Sequence, residues 1–271
     1  MAMSQIIQCP FFQRAFGWCV PIGALGGLVG LGGGEFRLPV LMYAVGFDAK
    51  SAVPLNLMVS LVTLALSAIV RSRALPETAI LPFLPEVLGL AAGGIASAFY
   101  GARLVQRLTS KRLVQTIGVL LAALGVLMLA EVARPFGHAA MLPASPAVHV
   151  AAGFAIGTGI GLVSSILGVA GGELLIPTLM FIFGADIKAA GSASIVISLG
   201  VVLMGIWRYW RLGGFPHGRG VQRIASAMSA GSILGAVLGA LAVAYAPMTF
   251  LKALLGCVLM AAAAKTIASH H

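Results

Sequence analysis

The chain contains 271 residues, of which 60% are hydrophobic and 9% are charged, and its formal net charge is +10. Its mean hydropathy of +1.05 is too high for a water-soluble fold of this length, so the composition predicts an all-α polytopic membrane protein. The basic residues lie in short connections between apolar segments, a placement that sets membrane topology and excludes nucleic acid as a partner.

Four apolar segments are predicted in the first half of the chain. The first, at about 15–47, is interrupted by a cluster of glycines, and the others lie at about 52–70, 80–102 and 112–132. The uninterrupted segments have the ~20 residues that a helix needs to cross a bilayer. The interrupted segment is too long for one comfortable crossing and too short for two. It is therefore either one tilted, broken helix or a hairpin that returns to its starting side.

The second half repeats this arrangement at a constant offset of 138 residues. The sequence Gly-Leu-Gly-Gly-Gly-Glu-Phe-Arg-Leu-Pro-Val-Leu-Met at 30–42 returns as Gly-Val-Ala-Gly-Gly-Glu-Leu-Leu-Ile-Pro-Thr-Leu-Met at 168–180. A second interrupted segment is predicted at about 148–184, followed by apolar segments at about 189–207, 222–245 and 249–267. The offset also relates Gly46 to Gly184, Asp48 to Asp186, Lys50 to Lys188, Ser60 to Ser198, Arg73 to Arg211, Gly93 to Gly231 and Gly118 to Gly256.

A single offset over about a hundred residues, without a gap, indicates internal duplication. The chain therefore divides into a first repeat at 1–134, a linker at 135–147 and a second repeat at 148–271. The linker carries Pro135, Pro143 and Pro146.

The distribution of Lys and Arg among the connecting segments favours one of the two forms of the interrupted segments. Single crossings would place nine Lys or Arg on one side of the membrane and seven on the other, which decides nothing. Hairpins would place eleven on the side of both termini and five opposite, as the positive-inside rule expects for cytoplasmic termini. Each half then crosses three times after its hairpin, which makes the halves inverted repeats. The smaller group contains Arg71, Arg73, Arg134, Lys188 and Lys252.

The two glycine clusters are the first candidates for a binding site. Gly32, Gly33 and Gly34 in one half, and Gly171 and Gly172 in the other, leave backbone N–H groups unshielded within apolar sequence. Such amides, followed by the positive end of a short helix, form an anion-binding concavity. The alternative is a tight crossing of two helices.

Three charged residues accompany the clusters. Glu35 and Glu173 either carry protons during transport or cap the half-helices that begin beside them. Arg37 has no counterpart, because Leu175 occupies the equivalent position. It is either the partner of Glu35 or a charge contact for a substrate oxyanion, and the alternative is an interface position with a snorkelling head.

Polar side chains follow each cluster on the next predicted helix. Asn56 and Ser60 lie one turn apart, and Ser194 and Ser198 repeat the pair, so each helix presents two polar groups on one face. They contact either the substrate or neighbouring helices. The aromatic and basic run at 207–211 is interpreted as an interfacial belt. The histidines lie mainly in predicted loops or at the tail: His138, His149, His217, His270 and His271.

Several enzyme and channel classes are disfavoured by absent motifs. No Walker A, HExxH or GxSxG sequence occurs, and the single asparagine cannot supply two aquaporin-type Asn-Pro-Ala caps. The three cysteines, Cys9, Cys19 and Cys257, have no metal-ligand or CxxC spacing, so no cofactor, zinc site or disulfide framework is predicted.

The duplicated Gly-x-Gly-Gly-Gly-x-x-x-x-Pro-x-Leu pattern resembles the TauE/SafE family of sulfite exporters, also called TSUP, over nearly the whole chain. The resemblance implies secondary transport of small sulfur-containing or related organic anions such as sulfite or sulfonates. The prediction is a bacterial inner-membrane exporter that works by alternating access, with the anion between the two interrupted segments. A channel for small anions or neutral solutes and a non-transporting scaffold remain as alternatives, and a homodimer is kept open.

Overall fold

The structure is a computed structural model that describes residues 9–41, 46–47, 49–74, 80–105, 110–134, 145–211, 213–216 and 218–268. Most of the predicted linker lies outside these residues, as do Asp48, Arg107, Pro135, His138, Pro143, His217, His270 and His271.

All regular structure in the described residues is helical, as the sequence predicts. A π-helical turn at Gly26–Gly30 extends α1, and a 3₁₀ turn at Leu81–Phe83 precedes α4. Each predicted apolar segment contains a helix, and the helices after each interruption exceed their predicted bounds by a few residues. The helices are α1 Cys9–Leu25, α2 Gly34–Pro39, α3 Ala49–Ala74, α4 Leu84–Val105, α5 Ser110–Ala133, α6 Pro146–Leu167, α7 Gly172–Phe181, α8 Ile187–Arg211, α9 Arg219–Ala242 and α10 Met248–Ala268.

Five stretches of the described residues are long and apolar enough to cross a membrane. Shorter apolar helices lie at Leu121–Ala133, Gly172–Phe181 and Met248–Ala264. Large apolar side chains such as Leu88, Leu203 and Leu238 remain about half exposed on the outer faces of these helices. An outer surface of this kind is suited to lipid. The five stretches are Ser51–Arg73, Leu81–Phe99, Pro146–Ser165, Ile187–Arg211 and Gly220–Ala242.

Each interrupted segment is a hairpin. In the first, α2 runs back along α1, so that Leu41 packs in one cluster with Ala15 and Cys19 near the start of α1. In the second, α7 runs back along α6, and the ring of Phe183 meets that of His149 with centroids 5.8 Å apart. In both interrupted segments the chain therefore folds back on itself.

The outer helix of each hairpin packs against a helix of the other half. Along α1 and α9 the successive close approaches are Phe16 to Gly231 and Ala24 to Gly239, so the two helices run in the same direction. Helices α6 and α4 repeat this arrangement, with Phe154 beside Gly93 at the equivalent of the Phe16–Gly231 contact. Small residues at these crossings let the backbones approach closely, as is typical of helices in lipid.

Helices α5 and α10 are related by the 138-residue offset and pack together in opposite directions. Gly125 on α5 approaches both Gly256 and Met260 on α10, whereas Leu129, one turn later on α5, meets Gly256. A buried ion pair joins the same helices, with Lys252 Nζ 2.7 Å from Glu131 Oε1.

Candidate functional site

The two interruptions meet in the interior of the protein. Gly172, the first residue of α7, lies so close to the first interruption that a Cβ there would be 2.9 Å from the Cα of Leu31. Gly32 faces Ala170 across the same junction. The glycine clusters predicted as one site are therefore brought together, and their small size is what permits the approach of the two backbones.

Gly33 and Gly171 make the interruptions sharp. They precede α2 and α7 with φ values of 72° and 79°, in the left-handed region where side chains are disfavoured. The backbone conformation recurs at the offset of the duplication, because Gly30 and Gly168 also have positive φ values, of 100° and 66°. Gly33 and Gly171 thus redirect the chain so that each half-helix can run back along its partner.

Glu35 and Glu173 lie in the first turns of α2 and α7. This is the position at which a carboxylate interacts favourably with the helix dipole, as the capping interpretation requires. Glu173 is buried, with 5% of its surface exposed. The placement fits the capping role for both residues, and their titration during transport stays a prediction.

The polar side chains of α3 and α8 reach across to the interruption of the other half. Asn56 Nδ2 donates to the carbonyl oxygen of Gly168 at 3.0 Å, and Ser194 Oγ donates to that of Gly30 at 3.2 Å. These two hydrogen bonds are equivalent under the 138-residue offset. They supply the partners that carbonyls released from a helix need in an apolar interior.

The same side chains also hold the interruption of their own half. Asn56 donates a second hydrogen bond to Gly34 O at 3.1 Å, and Ser198 Oγ donates to Ala170 O at 3.0 Å. Asn56 therefore bridges both interruptions with the two N–H groups of one amide. All four predicted polar residues are fully buried at this junction.

Arg37 is the most heavily bonded side chain of the site. It is completely buried, which excludes the interface position with a snorkelling head. Its five N–H groups match five acceptors, which lie on the first interruption, α3 and α9. Nε donates to Gly33 O at 3.3 Å, Nη1 to Thr63 Oγ1 at 3.0 Å and Ser232 Oγ at 3.3 Å, and Nη2 to Ser60 Oγ at 3.1 Å and to Gly32 O.

Arg71 is a second buried arginine, which the sequence analysis assigns to a connecting segment. It belongs to the last turn of α3 and is 3% exposed. Nη1 donates to the carbonyl oxygens of Gly27 and Leu28, at 3.0 and 3.1 Å, within the π-helical turn. Nη2 donates to Lys188 O and Nε to Ser192 Oγ, both at 3.0 Å, so Arg71 joins the first hairpin to the start of α8.

The buried polar face of α3 continues beyond the predicted pair Asn56 and Ser60. Thr63, Ser67 and Arg71 follow at spacings of three and four residues, and all are at most 3% exposed. This spacing could have identified them, because residues three and four apart share one face of a helix. Only the pair Asn56 and Ser60 recurs in the second half as polar residues, so the repeat pattern does not extend the predicted polar face beyond Ser60.

The run at 207–211 divides between two surfaces. Trp210 is 70% exposed and Arg211 lies over the ring of Trp207, 4.3 Å from its centroid, which agrees with an interfacial belt. Arg208 and Tyr209 are partly buried instead, and Arg208 Nη1 donates to Ala98 O at 3.3 Å. His149 lies in the first turns of α6, inside the predicted second interrupted segment, and pairs with the buried Glu86.

Alanine substitutions at three glycines should separate backbone strain from steric overlap. Gly33→Ala is expected to destabilise the protein most, because a left-handed Cβ costs roughly 1–2 kcal/mol and this one would also lie 2.9 Å from Ile22 O. Gly46 has a φ of 82°, but a Cβ there would meet no atom within 4 Å, so Gly46→Ala should cost only the backbone strain. Gly17 has neither a positive φ nor a close neighbour, so Gly17→Ala should be neutral or stabilising. Melting temperatures in detergent that fail to follow this order would contradict the assignment.

Comparison with known proteins identifies the family to which the chain is similar. The family model described as "Sulfite exporter TauE/SafE" matches residues 15–270, which is nearly the whole chain and includes both hairpins. No curated protein and no solved structure matches the chain. The match covers both glycine interruptions, all the helices that position them and the polar residues that bond to them. The chain therefore belongs to the TauE/SafE sulfite exporter family.

Proposed function

We propose that the protein is a secondary transporter that exports sulfite or a related small sulfur-containing or organic anion across the bacterial inner membrane. The observation that carries the proposal is the meeting of two interrupted hairpins inside an apolar helical protein, at Gly172 and Leu31. Irregular backbone at membrane depth is tolerated where protein or an aqueous cavity receives it, and paired interruptions mark transport sites.

The proposed binding region is this junction. Gly32, Gly33, Gly34, Gly171 and Gly172 provide the close backbone approach, and Glu35 and Glu173 complete the half-helix ends. Asn56, Ser194 and Ser198 bind the released carbonyls, so the junction keeps its shape without water. Arg37 and Ser60 supply positive charge and polarity at the first interruption. Such a region stabilises a small oxyanion while it is removed from water.

Alternating access follows from an inverted arrangement of the two halves. This topology is supported by the opposite directions of the equivalent helices α5 and α10. Helices α3 and α8 behave in the same way, because the end of α3 at Arg71 lies beside the start of α8 at Lys188. The substrate site would then open to either side as the hairpins rock against the remaining helices.

Cytoplasmic termini are part of the proposal and rest on loop charge. Of the five basic residues on the opposite side, Arg71, Lys188 and Lys252 bind partners within the protein. Only Arg73 and Arg134 of that group are exposed. Cytoplasmic termini are therefore supported by the count of eleven basic residues against five, in the direction of the positive-inside rule.

Flux measurements in liposomes test the proposal. The full chain should carry sulfite with a rate that saturates, and sulfite preloaded on one side should accelerate uptake from the other by counterflow. A rate that rises linearly with concentration and shows no counterflow would favour the channel alternative. Absence of sulfite, sulfoacetate and carboxylate flux from correctly folded protein would contradict transport of this class of anion.

A further inference from the structure

A small cavity of about 40 Å³ lies beside the second interruption. By the usual measure of ~10–15 Å³ for each enclosed water, it accommodates roughly three water-sized groups. This is comparable to the three oxygens of a sulfite ion. Its polar lining comes from the end of α6 and the last turn of α8, namely Ser164, Ser165, Gly168, Arg208 and Tyr209.

The cavity occupies the place in the second half that Arg71 fills in the first. The 138-residue offset relates Tyr209 to Arg71, and both stand at the same position of equivalent helices, α8 and α3. It likewise relates Ser165, which lines the cavity, to Gly27, whose carbonyl Arg71 binds. The polar face of α3 has no counterpart here, since Val201 and Gly205 replace Thr63 and Ser67.

The interruptions therefore differ in how they are held. In the first, the guanidinium groups of Arg37 and Arg71 together bind four backbone carbonyls. In the second, Leu175 stands at the equivalent of Arg37 and Tyr209 at that of Arg71, so no guanidinium occupies either equivalent position. The first interruption is a fixed support, whereas the second leaves space for an external group.

Ser164 gives independent evidence for a ligand at this place. It is 2% exposed, yet its Oγ has no hydrogen-bond partner within the described structure. The hydroxyl points towards the second interruption, because a Cβ on Gly171 would overlap with it. A buried hydroxyl without a partner costs about 1–3 kcal/mol, so its retention needs an explanation that a bound acceptor provides.

Arg208 and Tyr209 supply the chemistry that selects an anion. Arg208 is partly buried in the cavity wall, where a guanidinium binds oxyanions through charge-assisted hydrogen bonds. Tyr209, Ser164 and Ser165 also line the cavity, and each carries a hydroxyl group. This combination of one positive charge and several hydroxyl donors suits an anion with three oxygens, and the small volume excludes large organic groups.

We infer that the substrate anion binds at the second interruption, in the cavity between Ser164 and Arg208, while the first interruption and its two arginines position the helices around it. The inference rests on the proposed transport of a small oxyanion. It places the substrate's charge contact on Arg208 rather than on Arg37, whose five donors are all used within the protein. The first half thus positions the helices, and the second half binds the anion.

Saturable sulfite flux in liposomes, measured for the full chain and single variants, tests this site. Arg208→Gln should raise the KM for sulfite at least tenfold, because the charge contact is lost. Ser164→Ala should raise it a few-fold without lowering the melting temperature, since the hydroxyl has no protein partner to lose. Arg211→Gln is the matched control from the same helix turn, and its KM should equal that of the wild type because Arg211 is exposed.

The outcomes separate the site from the function. If wild-type protein shows no saturable sulfite flux, the proposed function fails whatever the variants do. If the wild type transports sulfite and both Arg208→Gln and Ser164→Ala keep its KM, the site is overturned and transport stands. Should Arg208→Gln fail to fold, Ser164→Ala decides alone, because an unchanged KM in that variant contradicts the inference.

Discussion

Replacement of Arg37 by leucine is expected to lower the free energy of unfolding by about 3 kcal/mol or more. The change removes five hydrogen bonds and takes this donor from the buried carbonyl of Gly32, while Gly33 O keeps only the backbone N–H of residue 37 as a donor from this residue. A buried acceptor left unsatisfied costs roughly 1–3 kcal/mol, and Gly32 and Arg37 are both buried. Thermal unfolding in detergent measures the loss, which at roughly 2–4 °C per kcal/mol should be clear for a chain of this size.

Arg37→Lys distinguishes the hydrogen-bonded network from the charge alone. Lysine keeps the positive charge beside Glu35 but has three donors on one atom, so it cannot reach acceptors arranged around a planar guanidinium. We expect it to recover less than half of the stability lost in Arg37→Leu. Full recovery of stability by lysine would show that Arg37 stabilises the protein through its charge and not through the arrangement of its acceptors.

The helices and their interruptions were accessible from the sequence because both depend on local properties. Apolar length determines which segments can cross, and glycines with a positive φ determine where a segment can turn. The duplication then linked Gly33 to Gly171, and both have the same left-handed conformation. Paired interruptions in the two halves of a transporter generally meet at one site. The sequence could therefore predict that the two glycine clusters lie together without knowledge of the packing.

The partners of individual polar residues could not be predicted, because a uniformly apolar helix does not reveal which face is buried. In a lipid-exposed protein the outer face is as apolar as the core, so periodicity carries little information. Arg208 and Arg211 illustrate this, since they are three residues apart on one helix end and lie on the cavity wall and the surface respectively. The sequence assigned both to an interfacial belt.

The role of Arg37 shows a second limit of prediction from the sequence. Its acceptors come from its own hairpin and from Ser60, Thr63 and Ser232 on two other helices. The sequence predicted a contact with Glu35 or with substrate because these explain an isolated charge most simply. A network of neutral acceptors from distant positions becomes visible only when the helices are packed.

The contrast between Arg71→Gln and Arg73→Gln offers the sharpest test of the support assigned to the first interruption. The two arginines are separated by one residue on α3, but Arg71 is 3% exposed and makes four hydrogen bonds, whereas Arg73 is exposed. Arg71→Gln should lower the free energy of unfolding by about 2–4 kcal/mol, because glutamine cannot reach carbonyls on both the first hairpin and α8. Arg73→Gln should change it by less than about 0.5 kcal/mol.

A double-mutant cycle with Ser192→Ala locates the effect of Arg71 at the junction between the halves. Arg71 Nε lies 3.0 Å from Ser192 Oγ, so the two substitutions should be non-additive by about 0.5 kcal/mol or more. Additive effects of Arg71→Gln and Ser192→Ala on the free energy of unfolding would contradict this role, and so would equal losses in Arg71→Gln and Arg73→Gln. Arg71 would then contribute only to the orientation of the chain in the membrane. A large loss at Arg71 with coupling to Ser192 would mean that one guanidinium fixes the first hairpin to the start of α8 in the opposite half.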